Sequence, residues 1–461
     1  MPQDDSEKGV RRFGAGFGPA WRSWTADALL RRLISNASML LGGKAVNAVF
    51  SVGYLALAAR GLSLEAFGTL ILIHTYTQAV GDITKFQSWQ AVLTYGTPAW
   101  NDRRIGDLQK ILRFSVRLDV IGAAAGLGVA LLGIPVAQYV FDWSPHTAEL
   151  ATYYVFSVIF FDIATTTGVL RLFNRFDLAA IQSSLGALIK FLGAAVAFYY
   201  GAGLEAYLVT WVIAAIIPCL VLIGMGVREL RRQGVFAPQP EQAVSSPAPW
   251  TPDRTVWGFV WFANLNTTLQ LVLTHFGTLI VGALLGAPSA ALYRVARQLT
   301  EALTAPVKLL TPTIYPELAR LAARNAMAEM RRFMLRSALL AGVGASALAG
   351  VLIVAGPWLL LIVAGPNFTP AYGVMVVLGI AAAIRLGSFP LEPMLISCGQ
   401  AGVALQVRAV TTALYMILMF YLCSWLGLVG AGLALLIASL TNLAGQVTVV
   451  EKWLRQHAVT A

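Results

Sequence analysis

The chain has 461 residues, of which 57% are hydrophobic and only 12% are charged. Soluble globular proteins carry about 25% charged residues, so this composition excludes an ordinary soluble domain and predicts an integral membrane protein. The formal net charge of +11 does not indicate a nucleic-acid partner, because the basic residues lie between apolar segments and no nucleic-acid-binding module is recognisable.

The N-terminal 36 residues combine a polar, Gly-rich start with a segment from Pro19 to Ser35 in which arginines alternate with aromatic and aliphatic residues. This pattern predicts a short amphipathic helix in the membrane interface, with an unstructured tail as the alternative. The first long apolar segment begins after residue 36 and is not followed by a small-residue cleavage site. We therefore predict that no signal peptide is removed.

Twelve apolar segments are long enough to cross a bilayer, which requires about 20 residues per helix. A Pro- and Ala-rich segment between Arg228 and Arg254 divides them six and six. The sequence therefore predicts an all-α membrane protein with two six-helix lobes related by a pseudo-two-fold axis along the membrane normal. The predicted spans are 37–59, 65–86, 112–135, 149–170, 180–200, 205–227, 256–285, 291–315, 336–362, 371–396, 407–426 and 430–451.

Lys and Arg residues are concentrated in every second loop, whereas the alternate loops contain Arg60 and almost no other basic residue. By the positive-inside rule, both termini are predicted to be cytoplasmic in a multi-pass protein of the bacterial inner membrane. The predicted domains are a cytoplasmic tail (1–36), an N-terminal lobe (37–227), a cytoplasmic linker (228–255), a C-terminal lobe (256–451) and a cytoplasmic tail (452–461).

The two halves also share a weak internal repeat. The segment GLSLEAFGTLILIHTYTQA from Gly61 aligns without gaps to GAPSAALYRVARQLTEALT from Gly286, and both start at the junction between the first two spans of a half. Such parallel repeats are a known transporter design.

Several segments, in this order and spacing, resemble the polysaccharide transporter family. They are LEAFGTLILI, GVLRLFNRFDLAAI, GAPSAALYRVARQL and TPTIYPELARL, and the resemblance covers roughly residues 30–455. The family includes O-antigen and exopolysaccharide flippases of the multidrug/oligosaccharidyl-lipid/polysaccharide exporter superfamily. The resemblance implies alternating access and transfer of an undecaprenyl-pyrophosphate-linked oligosaccharide to the outer leaflet. The implied partners are this lipid-linked oligosaccharide, membrane lipids and polysaccharide polymerase or assembly proteins, without nucleic acid.

A pyrophosphate headgroup needs cations in a low-dielectric cavity, and arginine can bind its oxygens through two nitrogens. Charges inside spans are costly and normally face protein or water. The candidate substrate-binding residues are therefore the basic residues inside predicted spans: Lys44, Lys190, Arg294, Arg297, Lys308 and Arg385. We predict that cations of both lobes converge on one water-filled chamber, with Lys308 and Arg385 as the favoured lining residues.

Each of the other four cations has a structural alternative. Lys44 lies where it can reach the inner headgroups, and Arg294 lies near the outer surface, where extension to the headgroups is favoured. Arg297 and Glu301 are four residues apart and can neutralise each other. Lys190 lies among small residues, where a structural hydrogen bond competes with a cavity role.

Acidic residues inside spans raise the alternatives of H⁺ or Na⁺ coupling, with Asp162 and Glu301 as candidates. Asp82 is expected to pair with Lys85 one turn away, and Glu392 is a further acidic candidate. No metal site, cofactor or disulfide framework is predicted, because the three cysteines are isolated in apolar segments.

The remaining polar residues inside spans favour contacts between helices over sugar binding. They are Tyr76, Gln78, Asn264, Asn266, Gln270 and His275. Prolines 306, 312, 316, 390 and 393 are expected to kink helices near the charged positions.

Two other functions compete with a flippase. A cation-coupled multidrug antiporter would favour an acidic cavity, whereas the basic residues inside these spans favour anions. A membrane-embedded enzyme acting on the same lipid carrier would require a His paired with Asp or Asn, or a sizeable acidic outer loop, and the sequence indicates neither. We therefore predict a transporter and not an enzyme.

Overall fold

The computed structural model describes residues 46–161, 163–236, 254–308, 327–398 and 400–458, together with Leu318, Arg320, Leu321 and Arg324. Within these residues, all regular structure is α-helix or short 3₁₀ helix. The predicted interfacial helix, Lys44 and Asp162 lie outside the described residues, as does most of the predicted linker.

The first lobe contains the helices that precede residue 237. They are α1 (Val46–Gly61), α2 (Leu64–Thr84), α3 (Ser88–Asn101), α4 (Ile105–Val140), α5 (Pro145–Val155), α6 (Ala164–Leu172), α7 (Phe176–Tyr199) and α8 (Leu204–Arg232), with a 3₁₀ helix at Phe156–Phe160 between α5 and α6. Serine side chains start two of these helices: Ser63 accepts a hydrogen bond from the backbone nitrogen of Ala66, and Ser144 accepts one from that of Thr147.

The second lobe begins with α9. Its helices are α9 (Arg254–Lys308), α10 (Met327–Val363), α11 (Tyr372–Gly387), α12 (Leu391–Ser397) and α13 (Ala401–Ala458), with a 3₁₀ helix at Pro366–Ala371 before α11.

Helices α9 and α13 each form an antiparallel hairpin, because each chain reverses at a glycine with positive φ. These are Gly286 (φ 83°) and Gly427 (φ 59°), a backbone region that side chains other than glycine rarely adopt. The reversal brings the Tyr293 hydroxyl 2.9 Å from the position a Cβ would take on Gly277. The reversal at Gly286 also confirms the predicted junction there.

Both lobes interrupt their fourth span. In the first lobe the break follows the 3₁₀ helix and ends at Ile163, and in the second lobe it runs from Ser388 to Pro390. The second break confirms the kink expected at Pro390. The first was not predicted, because its segment reads as one continuous apolar span from 149 to 170 and lacks proline.

The two lobes together form the predicted twelve-helix, two-lobed, all-α fold. Eight segments among the described residues are long and apolar enough by themselves to cross a membrane, and the α9 segment Thr274–Thr304 and the α13 segment contain the two hairpins. Helix α2 is not among the eight, although it has 21 residues. It packs between the second lobe and other helices of the first lobe, so it carries buried polar residues such as His74 and Thr77.

The lobes pack through α2 of the first lobe and α9 of the second. Gly68 is required at this contact, because a Cβ there would lie only 1.9 Å from the carbonyl oxygen of Ala287. Nearby, the rings of Phe67 and Phe368 meet edge to face with centroids 5.7 Å apart. We call the end of the bundle that holds these contacts the closed end.

Arg60 adds a polar contact between the lobes at the closed end. Its guanidinium donates hydrogen bonds to the last carbonyls of α10, with distances of 3.1 Å to Leu361 and 3.3 Å to Val363 and a further bond to Ile362. A cation at the C-terminus of a helix also opposes the negative end of its dipole. Arg60, the basic exception in the predicted outer loops, therefore joins the two lobes.

Helices extend beyond several predicted boundaries. α8 continues to Arg232, so the predicted lobe boundary at residue 227 lies inside this helix, and α13 continues past residue 451 to Ala458. The basic segment after the second span is also helical, in α3 and the start of α4. Hydropathy marks only the apolar part of a helix, which explains the shorter prediction.

Candidate functional site

A cavity of about 470 Å³ lies inside the first lobe. It is lined by α1, α2, α7 and α8 and by the 3₁₀ helix, and its described polar and aromatic lining residues include Tyr54, His74, Asp82, Lys85, Lys190 and Trp211. This volume is in the range of ordinary small-molecule sites.

Lys190 occupies an aromatic corner of this cavity. Its Nζ lies 4.7 Å from the ring centroid of Trp211 and 5.5 Å from that of Tyr54. No carboxylate of a described residue lies within ion-pair distance of this ammonium, and no hydrogen bond joins it to a described residue. Cation–π contacts, rather than the structural hydrogen bond considered from sequence, therefore hold Lys190.

His74 completes the aromatic corner. Its Nδ1 lies 2.7 Å from the hydroxyl of Tyr154, and its ring centroid lies 4.5 Å from that of Trp211. These contacts join α2 to α5 and α8, and they fix one wall of the cavity.

Arg294 points from the second lobe toward this corner. It is half-buried, it interacts with the hydroxyl of Tyr54, and it is near enough to Lys190 and His74 for electrostatic repulsion. The expectation that Arg294 extends to the headgroups is therefore wrong. The position of Arg294 shortly after the reversal at Gly286 suggested a site near the membrane surface. The structure instead places Arg294 on the side of α9 that faces the first lobe.

A second cavity, of about 540 Å³, lies inside the second lobe. Its described charged lining residues are Arg297, Arg385, Arg408 and Glu392. A small extension of about 120 Å³ adds Glu301 and contains Arg297 and Arg385 again. Arginines thus outnumber carboxylates among the described residues that line the larger cavity.

Two arginines of this cavity have carboxylate partners. Arg297 Nε lies 2.9 Å from Glu301 Oε1, which confirms that these residues pair along one face of α9. Arg408 pairs with Glu392 through one guanidinium nitrogen and both carboxylate oxygens. Glu301 leaves 42% of its side chain exposed, so it remains accessible from the cavity.

Arg385 differs from these two arginines. It lies in the last turn of α11, directly before the break at Ser388–Pro390, and it lines both parts of the cavity. Its side chain is exposed, and no carboxylate of a described residue is within ion-pair distance of it. The break ends α11 at this point, and Arg385 lines the cavity beside it.

The predicted cations are therefore distributed over two cavities. Lys190 lines the first-lobe cavity with Arg294 of the second lobe near it, and Arg297 and Arg385 line the second-lobe cavity. Each of these two cavities is lined by residues of one lobe, unlike the single predicted chamber. Tight packing of α2 against α9 separates them. Lys308 ends α9, and its side chain is not among those that the structure describes.

Asp82 and His275 form a contact between the lobes. Asp82 Oδ2 lies 2.9 Å from His275 Nε2, which joins α2 to α9. The sequence predicted Lys85 as the partner of Asp82, because spacing along one helix reveals only pairs three or four residues apart. The contact also corrects the expectation that no His is paired with Asp.

Asp119 is a further buried acid that the sequence analysis missed. Its carboxylate accepts hydrogen bonds from the Ser88 hydroxyl at 2.5 Å and from the backbone nitrogen of Thr165 at 2.9 Å. It therefore joins α4 to α3 and to the start of α6, beside the break in the fourth span. It lies inside the predicted span 112–135, two residues after Arg117, and its partners on other helices cannot be read from local sequence spacing.

Other polar residues behave as contacts between helices. The Tyr76 hydroxyl donates a 2.7 Å hydrogen bond to the Ala130 carbonyl, as expected, whereas Gln78 lines the first-lobe cavity. Asn264 is buried, and the side chains of Asn266 and Gln270 lie outside the described set. Among the described residues, no group of three or more His, Cys, Asp or Glu side chains is arranged to hold a metal.

Comparison with known structures supports this fold. An inward-facing multidrug resistance MATE transporter of the MOP superfamily matches 90% of this chain and 95% of its own, with a TM-score of 0.68 and 13% identity. The lipid II flippase MurJ, in an inward closed conformation, matches 89% of this chain and 87% of its own, with a TM-score of 0.65 and 12% identity. At these identities the likeness establishes the fold.

A third structural neighbour is a MOP superfamily transporter from Pyrococcus furiosus, described by the reverse polarity of its binding pocket. It matches 92% of this chain and 95% of its own, with a TM-score of 0.61 and 12% identity. No protein-family model matches the sequence.

A curated relative is much closer in sequence. The inner membrane protein YghQ of Escherichia coli (strain K12) is 30% identical over 356 residues, which cover 76% of this chain and 98% of the relative. With its two-lobed fold of MOP superfamily transporters, the chain belongs to the family of the inner membrane protein YghQ.

Proposed function

We propose that the protein is an inner-membrane flippase for undecaprenyl-pyrophosphate-linked oligosaccharides. It would move these units from the cytoplasmic to the outer leaflet for surface polysaccharides such as O-antigen or exopolysaccharide. The observation that carries the proposal is the excess of cations over carboxylates among the described lining residues of both cavities. Likeness to a lipid flippase and the inner-membrane relative agree with it.

The second-lobe cavity suits a phosphorylated headgroup. Arg385 lines the cavity with no carboxylate of a described residue within ion-pair distance of its guanidinium, although Arg297 and Glu301 both act on it electrostatically. A guanidinium binds phosphate oxygens through two parallel N–H groups, and such charged hydrogen bonds are roughly twice as strong as neutral ones. Arg297 and Arg408 supply further positive charge, partly neutralised by Glu301 and Glu392.

The first-lobe cavity supplies a second positive surface. The ammonium of Lys190 lies over the rings of Trp211 and Tyr54. Arg294 adds a cation from the other lobe. An anion that contacts both Lys190 and Arg294 would relieve their mutual repulsion. The first-lobe cavity would thus hold the headgroup close to a cation of the second lobe.

The competing function is a multidrug antiporter, which the structural similarity to MATE transporters suggests. The aromatic residues Tyr54 and Trp211 are the groups that would stack on a cationic drug. The ammonium of Lys190 already lies over both rings, so a cationic drug would meet a like charge there. This observation favours the anionic cargo.

An enzyme acting on the lipid carrier needs more than the His275–Asp82 pair. A His–Asp pair activates a nucleophile only when a hydroxyl or thiol lies within hydrogen-bond reach of the imidazole. Among the described residues, Asp82 is the hydrogen-bond partner of His275, and no such nucleophile bonds to this ring. The pair therefore does not favour an enzyme.

The proposal is tested with Arg385→Gln in a strain that lacks the chromosomal gene. Loss of one charged phosphate contact costs about 1.5–3 kcal/mol, so we expect surface polysaccharide to fall at least tenfold while the protein stays at normal membrane levels. Arg336→Gln is the matched control, because Arg336 is an exposed arginine on α10 of the same lobe. Full export by Arg385→Gln, or drug resistance without any effect on polysaccharide, would contradict the proposal.

A further inference from the structure

We propose that Asn442 and Gln446, together with the Arg408–Glu392 pair, form a saccharide-binding subsite in the second-lobe cavity. The inference rests on the proposed function, because it concerns the sugars of the same cargo. It goes further by assigning the sugars and the pyrophosphate to different parts of one cavity, and by naming the side chains that recognise the sugars.

Gln446 is a buried amide without a hydrogen-bond partner among the described residues. Its side chain lines the second-lobe cavity, and the residue is only 5% exposed. Buried polar groups in folded proteins nearly always have a partner, because an unpaired amide loses its hydrogen bonds to water. The contents of the cavity are the partner that this position offers, so Gln446 indicates a ligand with hydrogen-bonding groups.

Asn442 adds a second amide to the same wall. It lies one turn before Gln446 on α13, so both amides lie on one face of the helix, and both line the cavity. Asn442 also makes no hydrogen bond to a described residue. Each amide offers two donor hydrogens and an acceptor oxygen. Two such groups one turn apart match neighbouring sugar hydroxyls, each of which both donates and accepts.

The first arm of α13 brings an ion pair to this wall. A Cβ on Gly445 would lie 2.9 Å from Cγ1 of Val407, so the two arms are in close contact beside Gln446 and Arg408. Arg408 pairs with Glu392, which leaves 31% of its side chain exposed. The ion pair thus holds a carboxylate at the cavity wall, where its oxygens can accept hydrogens from hydroxyl groups.

The amides lie away from the arginines that suit the pyrophosphate. Arg297, Arg385 and Leu435 line both the main cavity and its small extension, and we call this part the cationic end. Gln446 lies about three turns beyond Leu435 along α13, which is about 16 Å. A pyrophosphate is too short to span this distance. A headgroup bound at the cationic end therefore leaves the amides to the sugars attached to it.

Glu392 also decides which class of ligand suits the amides. Its carboxylate would repel a phosphate, whereas it attracts the hydrogens of hydroxyl groups. The amides are neutral and add no charge that would attract an anion. This part of the cavity therefore favours a neutral polyol, and the cationic end favours the phosphates.

The test compares probes that share one lipid diphosphate and differ only in the sugar. The reference is the methyl ester of farnesyl diphosphate. The sugar probes carry glucose, galactose or N-acetylglucosamine in place of the methyl group, so the charge of the diphosphate is the same. Dissociation constants are measured by isothermal titration calorimetry with the full chain in lipid nanodiscs.

The sugar increment is the dissociation constant of the methyl ester divided by that of a sugar probe. We expect an increment of about 10-fold or more for at least one sugar in the wild-type protein. Gln446→Leu and Asn442→Leu should each lower this increment about 3- to 10-fold, because each removes one neutral hydrogen-bonding group. Binding of the methyl ester by these variants shows that they are folded.

Two further variants make the measurement specific. Arg385→Gln should weaken binding of the methyl ester and of the sugar probe by the same factor, so the increment should not change. Gln406→Leu is the matched control, because Gln406 is an exposed amide on α13 that does not line the cavity. Both of its dissociation constants should equal those of the wild-type protein.

The possible failures separate this inference from the proposed function. Equal binding of the methyl ester and all sugar probes by the wild-type protein would exclude the subsite and leave the flippase intact. An increment that survives in both leucine variants, or that disappears in Arg385→Gln, would also exclude the subsite as drawn. Absence of binding of every probe, the methyl ester included, would contradict the proposed function itself.

Discussion

The contact of Arg60 with α10 gives a direct prediction about the closed end. Arg60→Ala removes three hydrogen bonds to the carbonyls of Leu361, Ile362 and Val363, together with a cation at the end of the α10 dipole. Two of these bonds share one nitrogen, the third is long at 3.3 Å, and Arg60 is exposed, so the individual energies do not add. We estimate a loss of about 1–2 kcal/mol in the closed state.

This loss corresponds to a fall of about 5- to 30-fold in the closed-to-open ratio. Ala290 is a suitable reporter, because it is fully buried four residues after the reversal at Gly286. In a cysteine-free background, the rate at which a membrane-impermeant maleimide labels Ala290→Cys should rise by the same factor in Arg60→Ala.

Two controls make the measurement specific. Arg60→Lys retains the positive charge but loses the planar fork, so its labelling rate should be intermediate. Arg113→Ala removes an exposed arginine whose bond is to a carbonyl of its own helix, and its rate should not change. An unchanged rate in Arg60→Ala would refute the argument that this residue holds the lobes together.

Three further predictions follow from the packing. Gly68→Ala should prevent closure of the lobes, because its Cβ would overlap a backbone carbonyl of the other lobe. The same maleimide assay should then show rapid labelling of Ala290→Cys. Gly128→Ala is the control and should have no effect, because a Cβ there meets open space. Lys190→Met should weaken binding of the lipid-linked pyrophosphate about tenfold or more in a purified binding assay, and Lys190→Arg should retain most of it. Asp119→Asn should lower the free energy of unfolding by about 1–3 kcal/mol, because it weakens the hydrogen bonds that join α4 to α3 and α6. The midpoint of thermal unfolding in detergent should therefore fall, and an unchanged midpoint would contradict this role.

The fold was accessible from the sequence because the bilayer imposes its own length and polarity on each helix. Hydropathy gave the number of spans, and the weak repeat from Gly61 and Gly286 located two equivalent reversals. Pro390 predicted the break beside it, whereas no proline lies near the break that ends at Ile163. That break depends on tertiary contacts such as Asp119 with Thr165, which local sequence does not show.

The candidate site was less accessible, because partners on other helices decide what a charge does. The Arg297–Glu301 pair was visible as an i,i+4 spacing on one helix. The partners of Asp82, Lys190 and Arg294 come from distant parts of the chain, so their contacts were not predicted. Arg408 was missed because it lies close to the start of a predicted span, where a basic residue usually marks the membrane boundary.

The central claim is that the cationic cavities carry a lipid-linked oligosaccharide across the membrane. The most direct measurement is mass spectrometry of the lipid-linked sugars that accumulate in a deletion strain, combined with enzymatic probing of the leaflet in which they lie. The account predicts complete undecaprenyl-pyrophosphate-linked units on the inner leaflet, cleared by the wild-type gene and not by Arg385→Gln. Units that reach the outer leaflet without the protein, or that are cleared equally by Arg385→Gln, would contradict it.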